Sequence, residues 1–156
     1  MKQKNITQIF TFCFTFFTIA VFSQQTLKFT STKLVHKFEI NDEPLPNVKV
    51  EYEKNDILID QFNPDKAHGV VMIINQAKSG GYQFNINELI SKKFQDKFTT
   101  YFFSIVEEGK YIPKTLIMSI TNTNSLFYFV IIDDDIDGNK NKRRLISDYQ
   151  NIEKFN

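Results

Sequence analysis

An acidic segment near the C terminus holds the residues best suited to bind a metal ion. It reads Asp133-Asp134-Asp135-Ile136-Asp137-Gly138-Asn139 and fits the first half of an EF-hand calcium loop, in which acidic residues alternate before a glycine turn. Calcium prefers six or more oxygen ligands, and carboxylate and amide groups on a tight turn supply them. The candidate calcium ligands are therefore Asp133, Asp135, Asp137 and Asn139.

The second half of the calcium pattern is missing. Arg144 occupies the twelfth position, where such a loop needs a bidentate glutamate. Three further cations precede it, namely Lys140, Lys142 and Arg143. The alternative is a metal-free hairpin turn at Asp137-Gly138, whose charges discourage pairing with another chain. We prefer the turn, with no cofactor in the protein, and keep calcium as the alternative.

Catalytic groups are sparse in the sequence. The only imidazoles are His36, on the apolar face of a predicted strand, and His68, in a predicted turn. We expect the first to be structural and the second to be exposed. Glu107 and Glu108 are adjacent on a strand, so their carboxyl groups point to opposite faces and do not share a proton. The sequence contains neither H-E-x-x-H nor G-x-S-x-G, and its serines show no activating partner. We predict a protein that is not an enzyme.

Charge and composition exclude other classes of function. The 156 residues contain 19 Lys and Arg against 18 Asp and Glu, with two His, one Cys and no Trp. A nucleic-acid-binding protein needs a basic surplus to neutralise phosphates, and this chain has almost none. The 42% share of hydrophobic residues is that of a globular protein, and the length corresponds to one domain.

The N-terminal segment, residues 1–23, is predicted to be a secretory signal peptide. Lys2 and Lys4 form a charged start, residues 6–22 form an apolar stretch, and Ser23 provides a small residue at its end. The apolar stretch is short and rich in Thr, which argues against a retained membrane anchor. We therefore expect an exported bacterial protein, periplasmic or extracellular, without a membrane span in the mature chain.

From Leu27 onward the dominant sequence period is two, which indicates β-strands. In the first strand, residues 33–40, one face carries Leu34, His36, Phe38 and Ile40. Residues 48–53 and 57–62 are predicted to form a hairpin around a turn at 54–56. The remaining predicted strands are 70–74, 82–86, 99–106, 115–121 and 126–132.

One helix is predicted within this pattern. Asn87 is suited to cap it, and Ile90, Phe94 and Phe98 share one face at helical spacing. The whole pattern predicts an all-β fold, an antiparallel β-sandwich of about seven or eight strands with one short inserted helix.

The predicted sandwich spans residues 24–132, and residues 133–156 form a charged C-terminal hairpin or tail. The predicted core includes Phe38, Val50, Tyr52, Ile73, Phe102, Met118 and Phe129.

The order of several landmarks resembles a known family. Residues 41–50 read Asn-Asp-Glu-Pro-Leu-Pro-Asn-Val-Lys-Val, which is similar to the opening turn and strand of carboxypeptidase regulatory-like domains, a group of transthyretin-like β-sandwiches. Asp65 with Gly69, and then residues 109–114, resemble later turns of the same family. Residues 76–98 are an insertion relative to it. The resemblance implies an accessory, non-catalytic domain and supplies no catalytic residues.

Three functions follow, in order of preference. The first is an exported, non-catalytic module that interacts with a protein or a cell-envelope component. The second is a calcium-dependent adhesion or glycan-binding module that uses the acidic segment. The third is a small hydrolase, which would require an open cleft lined by converging polar groups.

Overall fold

The computed structural model describes residues 25–155, and the predicted signal peptide lies outside them. Within this range the secondary structure consists of ten strands and one 3₁₀ turn, Pro64–Lys66, with no α-helix. The strands are β1 (Gln25–Ile40), β2 (Glu43–Pro44), β3 (Lys49–Glu51), β4 (Asn55–Asn63), β5 (His68–Asn75), β6 (Gly80–Gln95), β7 (Phe98–Glu107), β8 (Pro113–Thr121), β9 (Leu126–Ile136) and β10 (Lys142–Lys154). The prediction of an all-β protein is confirmed.

Eight of the strands form a closed antiparallel β-barrel. From β4 to β10 each strand pairs with the next in sequence, β4 also pairs with β1, and β1 pairs with β10 to close the ring. The closing contact runs from Phe29 opposite Lys154 to Ile40 opposite Arg143. The short strands β2 and β3 lie outside the ring, and each pairs with β1.

The closed barrel replaces the predicted β-sandwich. Both architectures require strands with alternating apolar residues, so the sequence period does not distinguish them. Residues 133–156, predicted as a hairpin or tail, contribute the end of β9 and the whole of β10, and β10 closes the barrel. The predicted hairpin of residues 48–53 and 57–62 is also wrong, because β3 and β4 both pair with β1.

The predicted helix is wrong for a local reason. Its residues lie in β6, in the turn after it and at the start of β7. The register between these strands shifts at two places, between Ile86 and Glu88 and between Leu89 and Ser91. Each bulge inserts an extra residue and interrupts the period of two. In addition, Ile90, Phe94 and Phe98 are four residues apart, a spacing that fits one face of a strand as well as one face of a helix.

Side chains fill the interior of the barrel. The most deeply buried members of the core are Phe29, Ile57, Ile59, Val71, Phe103, Ile105, Leu116, Met118 and Phe129. Of the predicted core residues, Ile73, Met118 and Phe129 are confirmed. Phe102 is only half-buried, because its neighbour Phe103 occupies the inward position on β7.

Three other predicted core residues are exposed. Phe38, Val50 and Tyr52 are 38%, 41% and 79% exposed. Val50 lies in β3, outside the closed ring, and Tyr52 follows that strand. Phe38 lies near the end of β1, where the strand extends beyond its pairing with β4.

β1 changes the face that it turns towards the barrel interior. Phe29 and Leu34 both belong to the core although they are five residues apart, whereas regular alternation requires an even separation. Ser31 is fully buried between them. Its Oγ lies 2.7 Å from the carbonyl oxygen of Gln150 on β10 and 3.1 Å from that of Lys33. The hydroxyl thus joins the two closing strands where β1 is irregular.

The two ends of the barrel differ in their connections. We call the end that carries the segments 41–54, 76–79, 108–112 and 137–141 the mouth. β1, β9 and β10 extend further at the mouth than their neighbours, since β8 pairs with β9 only up to Thr115 opposite Ile132.

Across residues 25–155 no helix has the length and apolar character needed to cross a membrane.

Candidate functional site

A cavity of about 670 Å³ opens at the mouth. Its floor is the uppermost layer of the core and consists of Leu34, Ile73, Phe84, Ile131 and Tyr149. Its wall is polar and includes His36, Asn55, Asn75, Glu107, Lys114, Asp133 and Ser147. The barrel interior therefore changes from apolar to polar within one layer of side chains.

Strand alternation places the polar wall above the apolar floor. His36 lies two residues beyond Leu34 in β1, so both side chains face the interior. The same spacing relates the other wall residues to core residues: Asn55 to Ile57, Asn75 to Ile73, Glu107 to Ile105, Asp133 to Ile131 and Ser147 to Tyr149. A polar residue two positions from a core residue, on the side of the mouth, is thus the local signal for this site.

His36 and Ser147 are direct cross-strand partners in β1 and β10. The imidazole Nδ1 lies 3.1 Å from Ser147 Oγ. Burial lowers the pKa of His36 below its ordinary value, although the carboxylate of Glu51 acts in the opposite direction. The imidazole is therefore mainly neutral at pH 7. The sequence offered no partner for this serine, because the two residues are 111 positions apart.

Lys114 lies between two carboxylates of the wall. Its Nζ is 2.7 Å from Asp133 Oδ2 and 3.2 Å from Glu107 Oε2, while Lys110 Nζ is 2.6 Å from Glu107 Oε1. Burial opposes the ionisation of Glu107, but the two ammonium groups outweigh it and hold the pKa of Glu107 below its ordinary value. Glu107 is therefore a carboxylate at neutral pH. Glu107 is partly buried in these ion pairs, whereas the adjacent Glu108 is exposed.

One acceptor in this group is unsatisfied. Glu107 Oε2 is buried and has no hydrogen-bond partner in residues 25–155, since the 3.2 Å contact with Lys114 lacks hydrogen-bond geometry. A buried acceptor without a donor costs free energy. The ammonium group of Lys114, 3.2 Å away, compensates its negative charge.

The rim of the mouth is charged but balanced. Lys49 Nζ lies 2.5 Å from Glu51 Oε1, and Lys78 Nζ lies 2.9 Å from Glu53 Oε2. Asn75 Nδ2 donates a second hydrogen bond to Glu53 Oε2, at 2.5 Å. The hydrogen bond from Lys78, followed by that from Asn75, lowers the pKa of Glu53.

A second cavity, which we call the apolar lobe, adjoins the mouth and has a volume of about 560 Å³. It lies against the extended parts of β1, β9 and β10, opposite the 108–112 turn. Its apolar lining consists of Phe38, Ile40, Leu45, Ile112 and Leu145. It shares Lys110, Lys114, Asp133 and Leu145 with the mouth cavity, so the two spaces adjoin at the Lys114 ion pairs.

The structure distributes the candidate calcium ligands over different environments. Asp133 faces the mouth and pairs with Lys114. Asp135 lies in β9 and is exposed, and Asn139 is exposed in the following turn. Within residues 25–155, no three His, Cys, Asp or Glu side chains form a group able to hold a metal ion. Calcium binding stays a prediction.

Asp137 organises the predicted hairpin turn. Its Oδ1 accepts hydrogen bonds from the backbone N–H groups of Asn139 and Asn141, at 2.8 and 2.9 Å. Its Oδ2 lies 2.9 Å from Arg143 Nη2. The backbone bond from Asn141 is the main cause of the lowered pKa of Asp137. The turn between β9 and β10 is thus formed by hydrogen bonds within the protein.

Sequence reasoning missed most of the site. The sequence does not single out Lys114, Ser147 or Asn75, and it indicates a calcium ligand at Asp133. His68, as predicted, is exposed, and its Nε2 lies 3.4 Å from Gln61 Oε1. Only long-range pairing brings the wall residues together. The sequence therefore contains only the local pattern of a polar residue two positions from an apolar one.

The chain has no match among family models, curated proteins or solved structures. The resemblance to carboxypeptidase regulatory-like domains therefore stays a prediction.

Proposed function

We propose that this chain is an exported, non-catalytic binding protein whose ligand comes from the cell envelope and occupies the mouth. The observation that carries the proposal is the mouth cavity of about 670 Å³, with its apolar floor and polar wall. Small-molecule sites typically have volumes of about 300–1,000 Å³ and combine apolar surface with a few converging polar groups. An eight-stranded barrel is also of a size to hold one small ligand.

The polar groups of the wall are already held in position. Lys114 is fixed between Asp133 and Glu107, and His36 is held by Ser147. Groups that are ordered before binding lose little conformational entropy when a ligand arrives. This arrangement supports binding without a large rearrangement of the barrel.

Two features favour binding over catalysis. A catalytic general acid needs a raised pKa, whereas two lysines keep Glu107 ionised. Serine hydrolases also orient the histidine with a third, acidic group. Within the part of the chain that the structure describes, the His36 ring hydrogen-bonds Ser147 through Nδ1, and no carboxylate bonds its other nitrogen.

The test is to identify small molecules that co-purify with the protein from the envelope of its own host. Mass spectrometry of the denatured protein should reveal one defined chemical class. The variant Ser147→Phe, which fills the mouth, should lose these molecules. The control Ser91→Phe, at an exposed position of β6 far from the mouth, should retain them. Equal retention by both variants, or no molecule on the wild-type protein, would contradict the proposal.

A small hydrolase is the second candidate, and the contact between His36 and Ser147 is the observation that favours it. A base and a hydroxyl lie 3.1 Å apart in an open cavity lined by polar groups. The test is hydrolysis of p-nitrophenyl esters with short and medium acyl chains. Turnover that disappears in Ser147→Ala would support the hydrolase, whereas equal rates for both proteins would remove it.

A further inference from the structure

We propose that the ligand is an amphiphile with an uncharged, hydroxyl-bearing head group in the mouth and a single alkyl or acyl chain in the apolar lobe. This inference rests on the proposed function and adds the chemical class of the ligand. It depends on three observations: the exposed apolar lining of the lobe, its continuity with the mouth, and the pairing of the lysines that line the mouth.

The apolar lobe leaves large hydrophobic side chains in contact with water. Phe38, Leu45 and Ile112 are 38%, 39% and 61% exposed, and all three line the same cavity. Apolar surface gathered in a concave site of about 560 Å³ is typical of a site for an apolar group. A flexible hydrocarbon chain would cover these side chains and remove their surface from water.

The lobe and the mouth form one elongated site. Lys110, Lys114 and Asp133 line both cavities. On one side of this junction the accessible surface is mainly hydrocarbon, with charged side chains such as Glu39 and Arg144 at its edge. On the other side, a polar wall with amide, hydroxyl, imidazole, carboxylate and ammonium groups stands above the apolar floor. A ligand that extends through both spaces must therefore be apolar at one end and polar at the other.

The charges around the mouth argue for a head group without net charge. Each lysine that lines the mouth has a carboxylate partner. The pairs are Lys49–Glu51 at 2.5 Å, Lys78–Glu53 at 2.9 Å, Lys110–Glu107 at 2.6 Å and Lys114–Asp133 at 2.7 Å. A charged head group would have to displace one member of a pair and would leave a charge without its partner.

Hydrogen-bonding groups of the wall indicate what the head group carries. Besides its ion pairs, the wall offers hydrogen-bonding groups that carry no charge. His36, Ser147 and Asn75 add groups that bond hydroxyls in either direction. A polyhydroxylated head group meets all of these groups without breaking an ion pair.

The test uses calorimetric titration with hexyl, heptyl and octyl glucoside, each below its critical micelle concentration. The Kd should fall by roughly fourfold for each added methylene, because each buried methylene contributes a constant free energy. Glucose alone should bind far more weakly than octyl glucoside. Octanoate, which has a similar chain and an anionic head, should also bind more weakly.

Variants on the exposed 41–54 segment identify the site without disturbing the core. Leu45→Asp places a charge in the lobe and should weaken octyl glucoside binding by about tenfold or more. Val48→Asp is the matched control, since Val48 is exposed on the same segment but lines neither cavity. It should leave the Kd unchanged.

Three results would overturn the inference. If glucose and octyl glucoside bind equally and Leu45→Asp has no effect, the ligand is not an amphiphile, although a ligand in the mouth is still supported. If octanoate binds more tightly than octyl glucoside, the uncharged head group is wrong. If no probe binds, the amphiphile is rejected, and the co-purification test separately decides the proposed function.

Discussion

Lys114 and Asp133 lie on the neighbouring strands β8 and β9, and their side chains form a 2.7 Å ion pair on the wall of the mouth. Lys114 is adjacent to Thr115 and Asp133 is adjacent to Ile132, and Thr115 and Ile132 are cross-strand partners. Glu107 completes the group from the other side, at 3.2 Å from the same ammonium nitrogen. One lysine therefore contacts carboxylates from two different strands, and Lys110 supplies the second positive charge through Glu107.

Lys114→Met should lower the free energy of unfolding by about 2 kcal/mol, because it leaves two partly buried carboxylates near each other without their shared cation. Urea unfolding at pH 7 measures the change. Lys110→Met is the matched control, since Lys110 pairs with the same Glu107 but is 57% exposed. It should cost less than about 1 kcal/mol. If both variants lower the free energy of unfolding equally, the partly buried Lys114 contributes no more to stability than the exposed Lys110, and the prediction is wrong.

Gly81→Ala should destabilise the barrel by about 1–3 kcal/mol, since a Cβ at this position would lie 2.7 Å from the carbonyl oxygen of Ile73. The adjacent Gly80→Ala is the control, because a Cβ there meets no described atom within 4 Å. It should change stability by less than about 0.5 kcal/mol. Thermal unfolding of both variants measures the difference, and a similar melting temperature for the two would refute the close approach of β5 and β6.

Ser31→Ala should cost about 1–2 kcal/mol, because it removes a buried hydroxyl that bonds backbone carbonyl oxygens of β1 and β10. Thr32→Ala, at the next and exposed position, should have little effect. Chemical denaturation gives both values. If Thr32→Ala loses stability and Ser31→Ala does not, the Ser31 hydroxyl does not stabilise the contact between β1 and β10.

Stability should fall as the pH decreases below about 6.5, the ordinary pKa of histidine in an unfolded chain. Burial lowers the pKa of His36 in the folded state. Glu51 raises this pKa, and Lys49 and Lys78 lower it, with the net result that folding favours the neutral ring. The stabilisation is complete above the unfolded pKa and is lost as the pH falls through the folded pKa. Urea midpoints across this range should decline less in His36→Gln than in His68→Gln. Identical profiles for the two variants would exclude His36 as the cause.

Calcium should not change the melting temperature, because Asp133, Asp134 and Asp137 already have Lys114, Arg144 or Arg143 as partners. The measurement is thermal unfolding with millimolar calcium and with a chelator. A rise of several degrees with calcium would show that the folded state binds the ion. It would then favour the calcium-dependent adhesion or glycan-binding alternative.

The sequence by itself determined the features that depend on neighbouring residues. Alternation predicted the strand at 33–40, which lies in β1. A continuous apolar run predicted 70–74 in β5, and β-branched and aromatic residues between turns predicted the strands that lie in β7, β8 and β9. Turn chemistry at Asp137 and Gly138 gave the last hairpin. The same local logic failed in β6, where two bulges interrupt the period and the four-residue spacing of Ile90, Phe94 and Phe98 fits a helix as well as a strand.

Only the tertiary structure decided the closure of the sheet and the composition of the site. β1 and β10 are more than 100 residues apart in sequence, yet they pair with each other. The same series of strands could form a sandwich, and this pairing closes it into a barrel. That closure brings His36 to Ser147, while the pairing of neighbouring strands brings Lys114 to Glu107 and Asp133. The physical reason is that alternation fixes which face a side chain occupies, whereas strand pairing and register fix which other side chains it meets.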